Sequence, residues 1–182
     1  MKSVDYIIVG DGYAGLFFAH QLIKNRRSFV LFSGGKKGAS QVSAGVVNPV
    51  VLKKFTTFWL ASEQIIVLSE IMSEIELYLE KNYLINERIH RIFHDENEKE
   101  LWLSKTETEE LSPFLDPDFK SLDLIKNPFG TGSVKTSARI DVENLFTDFL
   151  FYLKSNALMN EEEFVHSKIN GNQYGDFTFK KL

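Results

Sequence analysis

An apolar strand running straight into a glycine turn leaves this chain few folds to adopt. Residues 4–15 read Val4-Asp5-Tyr6-Ile7-Ile8-Val9-Gly10-Asp11-Gly12-Tyr13-Ala14-Gly15. The run over residues 6–9 is of the kind found in a strand buried on both faces of a parallel sheet. Gly10 permits the tight turn out of that strand. Gly12, with no Cβ, lets the backbone approach a pyrophosphate closely, and Gly15 lets the next helix pack against the strand. That helix is expected over residues 13–24, with Leu16, Ala19, Leu22 and Ile23 on its apolar face. Its free N–H groups and its dipole make the turn an anion site. A second strand over residues 28–32 completes a βαβ unit. A glycine turn with a strand before it and a helix after it points to a bound dinucleotide rather than a chance match.

The kind of dinucleotide is usually set about twenty residues on, where an acidic residue at the end of the second strand hydrogen-bonds the adenosine ribose. That place holds Ser33, followed by Gly34-Gly35-Lys36-Lys37, with no carboxylate. A small hydroxyl beside lysines can receive a 2′-phosphate, which favours NADP. Ser33 can equally bond a ribose hydroxyl weakly while the lysines stay in water. NADP and FAD are both open on this segment.

Residues 38–49 form a second glycine-rich stretch, Gly38-Ala39-Ser40-Gln41-Val42-Ser43-Ala44-Gly45-Val46-Val47-Asn48-Pro49. Its small residues let backbone lie against a flat ligand, and Ser40 offers a hydroxyl to a phosphate or a ribitol. Alone it reads as an ordinary small-residue loop. In this order, after the first motif, the chain resembles the D-amino-acid oxidase and glycine oxidase family of FAD-dependent oxidoreductases. Members carry G-x-G-x-x-G and then a G-A-S-x-x-A-A-G-x-x-N-P-like segment, where Ser43 here replaces the first alanine. Lys53-Lys54-Phe55-Thr56-Thr57-Phe58-Trp59 before a long helix is also similar to a bacterial subgroup.

The resemblance implies FAD as cofactor and a role for each matching position. With Gly10, Gly12 and Gly15, Tyr13 and Ala14 would form the pyrophosphate turn. Ser33 and Gly34 would lie beside the adenosine ribose, and Ala39 and Ser40 against the central part of FAD. Ala44, Gly45 and Val46 would pass close to the isoalloxazine ring. Ser33 departs from the glutamate usual there, so a bidentate carboxylate–diol contact is lost. The implied reaction is oxidation of an amino acid or amine, with hydride transfer to flavin N5. An NADP-binding oxidoreductase domain and a non-catalytic remnant or interaction domain are the alternatives. No catalytic residue is assigned.

The implied fold is α/β: a Rossmann-like FAD/NAD(P)-binding βαβ domain followed by part of an antiparallel-sheet (α+β) substrate domain. Residues 1–83 would form the first, with the long helix, and residues 84–182 the partial substrate domain and a return toward the FAD domain. With 182 residues and 43% apolar composition, including sixteen Phe, a substantial core can be buried. The resemblance implies a protein roughly twice as long, so the chain reads as an N-terminal half. An incomplete sheet leaves an edge and apolar surface, which is compatible with a homo-oligomer.

Other function classes fit poorly. There is no cysteine, so disulfides and thiol catalysis are excluded, and a reducing cytoplasm is expected. Asp5, Gly10 and Asp11 interrupt any signal-peptide core, and no apolar run is long enough for a membrane span. The net charge is −4 and the basic clusters are short and separate, which disfavours nucleic acid. His90 and His94 lie in a strand-like stretch with no third ligand in sight, so no metal site is expected. His20 and His166 are read as ordinary core or surface residues. Arg139 can face a substrate carboxylate, but a surface ion pair is the expected role.

Beyond Pro49 the spacing predicts strand at 50–52 and a long helix over 57–81. Its stripe is Ala61, Ile65, Leu68, Met72, Ile75 and Leu79, with Phe58 and Trp59 as packing residues. Residues 84–93 alternate like a strand broken near Asn86-Glu87. Residues 95–110 are charged and helix-prone around Leu101, Trp102 and Leu103, and read as a solvated face. Residues 122–125 and 132–140 read as strands. Asp141 is a good N-cap for a helix over 142–155. Residues 164–169 and 177–182 are expected to pair across Asn170-Gly171-Asn172.

Overall fold

The computed structural model describes residues 1–181. In chain order the first elements are β1 (Lys2–Val9), α1 (Tyr13–Lys24), β2 (Phe29–Phe32), β3 (Val46–Val47), β4 (Val50–Val51) and β5 (Thr56–Thr57). Then come α2 (Ala61–Leu79), β6 (Leu84–Ile85), β7 (Ile89–Ile92), α3 (Glu96–Thr106), β8 (Thr131–Val134) and β9 (Ala138–Ile140). The chain closes with α4 (Val142–Ser155), β10 (Met159–Asn160), β11 (Gln173–Tyr174) and β12 (Phe177–Lys181). Leu182, the last residue of the expected final strand, lies outside the described residues.

Two compact units share these elements. The first comprises residues 1–43, 73–83 and the described residues from 141 onward, and the second residues 44–72 and 84–140. The chain therefore passes between units at 43/44, 72/73, 83/84 and 140/141.

The first unit is built on a five-stranded mixed α/β sheet in the order β10-β2-β1-β12-β11. β1 runs parallel to β2 (Val9 beside Phe32) and to β12 (Lys2 beside Phe177), and β10 runs parallel to β2. Only β11 is antiparallel. β2 is buried at all four positions, as a central β-branched and aromatic strand should be. Leu16, Ala19, His20 and Leu22 form the buried side of α1. Phe32, Tyr174, Phe179, Ile7 and Val30 pack together in the core, and Phe164 stacks on Tyr174 at 4.1 Å between ring centroids.

Asp5, midway along β1, ties this strand to its neighbours. It accepts from Lys180 Nζ at 2.6 Å and from Ser28 Oγ at 2.8 Å. The Lys180 bond first, and the Ser28 bonds next, hold its carboxyl down at about 2. His20, 2% exposed, sits between Glu74 Oε2 at 2.8 Å and Tyr78 Oη at 3.3 Å, a core histidine with both ring nitrogens in contact with a partner.

The second unit carries a three-stranded antiparallel sheet, β3-β9-β6, and the antiparallel pairs β4-β5 and β7-β8. Its core gathers Phe55, Phe93, Trp102, Leu111, Phe114, Leu115 and Val134. Trp102 corrects the expected solvated face: α3 is charged elsewhere, but this one indole is fully buried. It meets Phe55 and Phe93 edge-on, and its N–H donates to the Asp116 carbonyl at 2.9 Å. Gly132 makes room for it, since a Cβ there would stand 2.5 Å from the ring.

The remaining differences have local causes. α2 begins at Ala61 rather than 57, because Thr56–Thr57 is used as strand β5 against β4. Phe58 and Trp59, read as packing residues, are 52% and 79% exposed. Residues 122–125 form a turn held by Asn127, which donates to the Leu122 carbonyl at 2.7 Å, rather than a strand. β12 pairs with β11 across Gly175-Asp176, and residues 164–169 hold a short 3-10 turn at His166–Lys168. Gly175 has φ +52, so the chain can reverse there at little cost.

Candidate functional site

The carboxyl ends of β1, β2 and β10 converge on one edge of the parallel sheet, the place where open α/β sheets bind ligands. β1 ends at Val9, and Gly10 turns the chain with φ +100, its N–H bonding the Phe32 carbonyl at 2.9 Å. Gly12 then caps α1 with extended backbone and no side-chain cap of its own. Gly15 is required by packing: a Cβ there would lie 2.1 Å from the Gly10 carbonyl oxygen and 3.5 Å from Ile8 Cγ2. Each helix start leaves its first N–H groups without intrahelical partners, and the dipole adds positive potential. No acidic residue occupies the first turn.

One of those N–H groups is met by Ser40. Ala39 and Ser40 open a 3-10 turn, Ala39–Val42, and Ser40 Oγ accepts from the Tyr13 N–H at 3.2 Å. A Cβ on Gly12 would come within 3.0 Å of that same oxygen. The first and second glycine segments are thus joined directly. The Tyr13 ring stacks on Phe17 and meets Phe146 edge-on at 5.1 Å. Its buried Oη has no hydrogen-bond partner among the described residues, and burial pushes its ionisation up, partly opposed by the neighbouring Ser43 hydroxyl. Ala14 is exposed on the first turn.

At the end of β2, Ser33 is buried and its N–H bonds the Asn160 carbonyl at 2.9 Å, linking β2 to β10. Its hydroxyl donates to Asp11 Oδ2 at 2.7 Å. A carboxylate thus stands beside Ser33 although the end of β2 carries none in sequence. Asp11 comes from the glycine turn itself, and the parallel register of Val9 with Phe32 sets it beside Ser33. That register was the available signal. Gly34 is exposed, with nothing within 4 Å of where its Cβ would be.

A cleft of about 320 Å³ opens at this edge. Asp11, Ser33 and Gln41 line it, together with the apolar side chains of Phe146 and Leu150 from α4. Lys37, Glu143, Lys154 and Glu161 also line it. The α4 and β10 contributions lie more than a hundred residues from the glycine turn, beyond the reach of any local motif.

Ala44, Gly45 and Val46 belong to the second unit. Gly45 is buried at φ +68 and its carbonyl accepts the Ile140 N–H at 2.8 Å, while Ala44 is exposed and Val46 is 59% exposed. Arg139, paired with Val46 across β3 and β9, forms an exposed ion pair with Glu87 at 3.3 Å. His90 Nδ1 lies 3.5 Å from Thr131 Oγ1, and His94 Nδ1 lies 3.1 Å from Glu98 Oε2. No group of three His, Cys, Asp or Glu side chains able to hold a metal occurs among the described residues. No helix among them is long and apolar enough to cross a membrane.

No protein-family model matches the sequence. Solved structures do. The glycine oxidase from Geobacillus kaustophilus superposes with a TM-score of 0.64 at 17% identity, over 90% of this chain and 47% of that one. The glycine oxidase from Bacillus cereus ATCC 14579 gives 0.61 at 18% identity, over 88% and 46%. The L-amino acid deaminase from Proteus vulgaris gives 0.61 at 15% identity, over 87% and 40%. These are flavoenzymes of the D-amino-acid oxidase family, and this chain resembles their N-terminal part in fold. It spans less than half the length of each.

Proposed function

We propose that the chain is the Rossmann-like, FAD-binding part of a flavin-dependent oxidoreductase acting on an amino acid or amine. The observation that carries this is the cleft beside the glycine turn, at the carboxyl ends of three parallel strands. The residues present fit the adenosine diphosphate half of FAD. The open backbone of Gly10 and Gly12 and the start of α1 suit a diphosphate, with Ala14 and Gly15 supplying N–H groups while the Tyr13 N–H is held by Ser40. Ser40 accepts from Tyr13 through its oxygen, which leaves its proton to donate to a phosphate oxygen. Ser33 and Gly34 would border the ribose, and Phe146 and Leu150 would cover the adenine with apolar surface.

Ala39 takes the central part of the cofactor, and Ala44, Gly45 and Val46 take the isoalloxazine end, on the strength of the family resemblance. Bound there, the flavin would supply a two-electron acceptor for a substrate hydride. This chain's part is to hold the cofactor in register and keep its diphosphate neutralised by N–H dipoles.

Lys37 in the same cleft gives an NADP reading its one support. Titration of the protein with FAD and with NADP, followed by flavin fluorescence and by calorimetry, separates the two. The expected result is saturable FAD binding with no measurable NADP binding. Binding of NADP without FAD would overturn the flavin assignment, and binding of neither would favour the non-catalytic alternative.

A further inference from the structure

The sheet-edge cleft holds a carboxylate that the end of β2 lacks, and its placement bears on which nucleotide the cleft accepts. Ser33 is 2% exposed. Its hydroxyl proton is given to Asp11 Oδ2 at 2.7 Å, and its oxygen accepts the Gly35 N–H at 3.3 Å. A serine used in both directions has no proton left for a ribose.

Asp11 is in the opposite position. A carboxylate offers about four acceptor sites, and Ser33 is the one side-chain donor that Asp11 meets among the described residues. Gln41 bonds its backbone carbonyl at 3.4 Å and leaves the side chain alone. The remaining acceptor capacity lines the cleft. Resting on the flavin reading above, we propose that Asp11, oriented by Ser33, is the residue that accepts the 2′-hydroxyl of the adenosine ribose. It takes the part of the acidic residue that the end of β2 lacks.

The charges around Asp11 also bear on the 2′ position. Lys154 Nζ is paired with Glu161 at 2.7 Å, so Lys37 is the cation without an ion pair among the described residues that line the cleft with Asp11 and Glu143. A hydroxyl donor is welcome there. A 2′-phosphate would bring like charge against the Asp11 carboxylate in a part-buried site, a repulsive element that raises selectivity for the unphosphorylated ribose.

The test uses adenine nucleotides as well as FAD, so it reads the ribose contact apart from flavin binding. Calorimetric titrations would compare ADP, 2′-deoxy-ADP and adenosine 2′,5′-bisphosphate on the protein and on Asp11→Ala. The protein is expected to prefer ADP over 2′-deoxy-ADP by about tenfold or more, as for a hydrogen bond to a charged group. Asp11→Ala should bring that ratio close to one and weaken the rejection of the 2′-phosphate. Ser33→Ala, which frees the Asp11 side chain to rotate, should reduce the ratio without abolishing it. If Asp11→Ala fails to fold, judged by its helical circular dichroism, Asp11→Asn, which keeps a neutral amide acceptor but loses the charge, should lower the ratio part of the way and weaken the rejection of the 2′-phosphate. FAD binding with an undiminished ADP preference in the Asp11 variants would overturn this assignment and leave the flavin reading in place. Absence of both FAD and ADP binding would overturn the two together.

Discussion

Gly10 and Gly15 are five residues apart and are glycine for unrelated reasons. Gly10 sits at φ +100 with nothing within 4 Å of where a Cβ would be, so only its backbone conformation excludes other residues. Gly15 has ordinary backbone, but a Cβ would be driven to 2.1 Å from the Gly10 carbonyl oxygen. Backbone cannot move aside as a flexible side chain can, so α1 itself would have to shift away from β1. Gly15→Ala is therefore expected to lower unfolding stability by about 1–3 kcal/mol, in the range of overpacked core sites. It should also weaken FAD, because the N–H groups at the helix start move with it. Urea unfolding with the same slope and a lower midpoint is the expected reading. An unchanged midpoint would show that the turn is looser than this geometry requires. Asp11 belongs with these residues as one whose role was hidden by its setting, because a motif written as G-x-G treats the middle position as free.

Among the elements, α4 was the most legible in the sequence and α3 the least. Asp141 followed by an apolar 3-4 spacing specifies both the start and the buried face of α4. The structure has the helix at Val142–Ser155 with Asp141 accepting the Asn144 N–H and with Leu145, Phe146, Phe149 and Leu153 buried. Asp141→Ala is expected to cost about 1 kcal/mol through the lost cap, read as a lower urea midpoint with the ligand site otherwise intact. No change would mean that Glu143 in the first turn compensates through the helix dipole. α3 misleads because its charges surround a single buried side chain. Trp102 is buried by Phe55 and Phe93, from distant parts of the sequence, and by the gap at Gly132. The stripe on α2 came through with Ala61, Met72 and Ile75 buried, yet its start did not, since strand pairing by Thr56–Thr57 outranks helix periodicity there. The pairing of residues 164–169 with the last strand failed for a similar reason. Gly175 supplies a tighter turn nearer the end, and Phe164 serves better stacked on Tyr174.

At the level of the whole chain, the first unit is assembled from three separate stretches of sequence, and its sheet is completed from the far end. β10 and β12 flank β2 and β1 as parallel partners, although about 130 and 175 residues, respectively, separate the paired strands in sequence. The glycine turn, α1 and β2 could be read locally because each is a short-range pattern. The cleft could not, since α4 and β10 bring its apolar side chains and most of its charges from more than a hundred residues away. A site of this kind has a local half that announces the ligand class and a distant half that shapes the fit. Hydrogen–deuterium exchange of the protein with and without FAD examines both halves at once. Slowed exchange is expected at the amides of residues 10–15 and 33–41, with smaller changes on α4. FAD that binds while leaving those amides unprotected, or that protects only residues of the antiparallel unit, would contradict this placement of the cofactor.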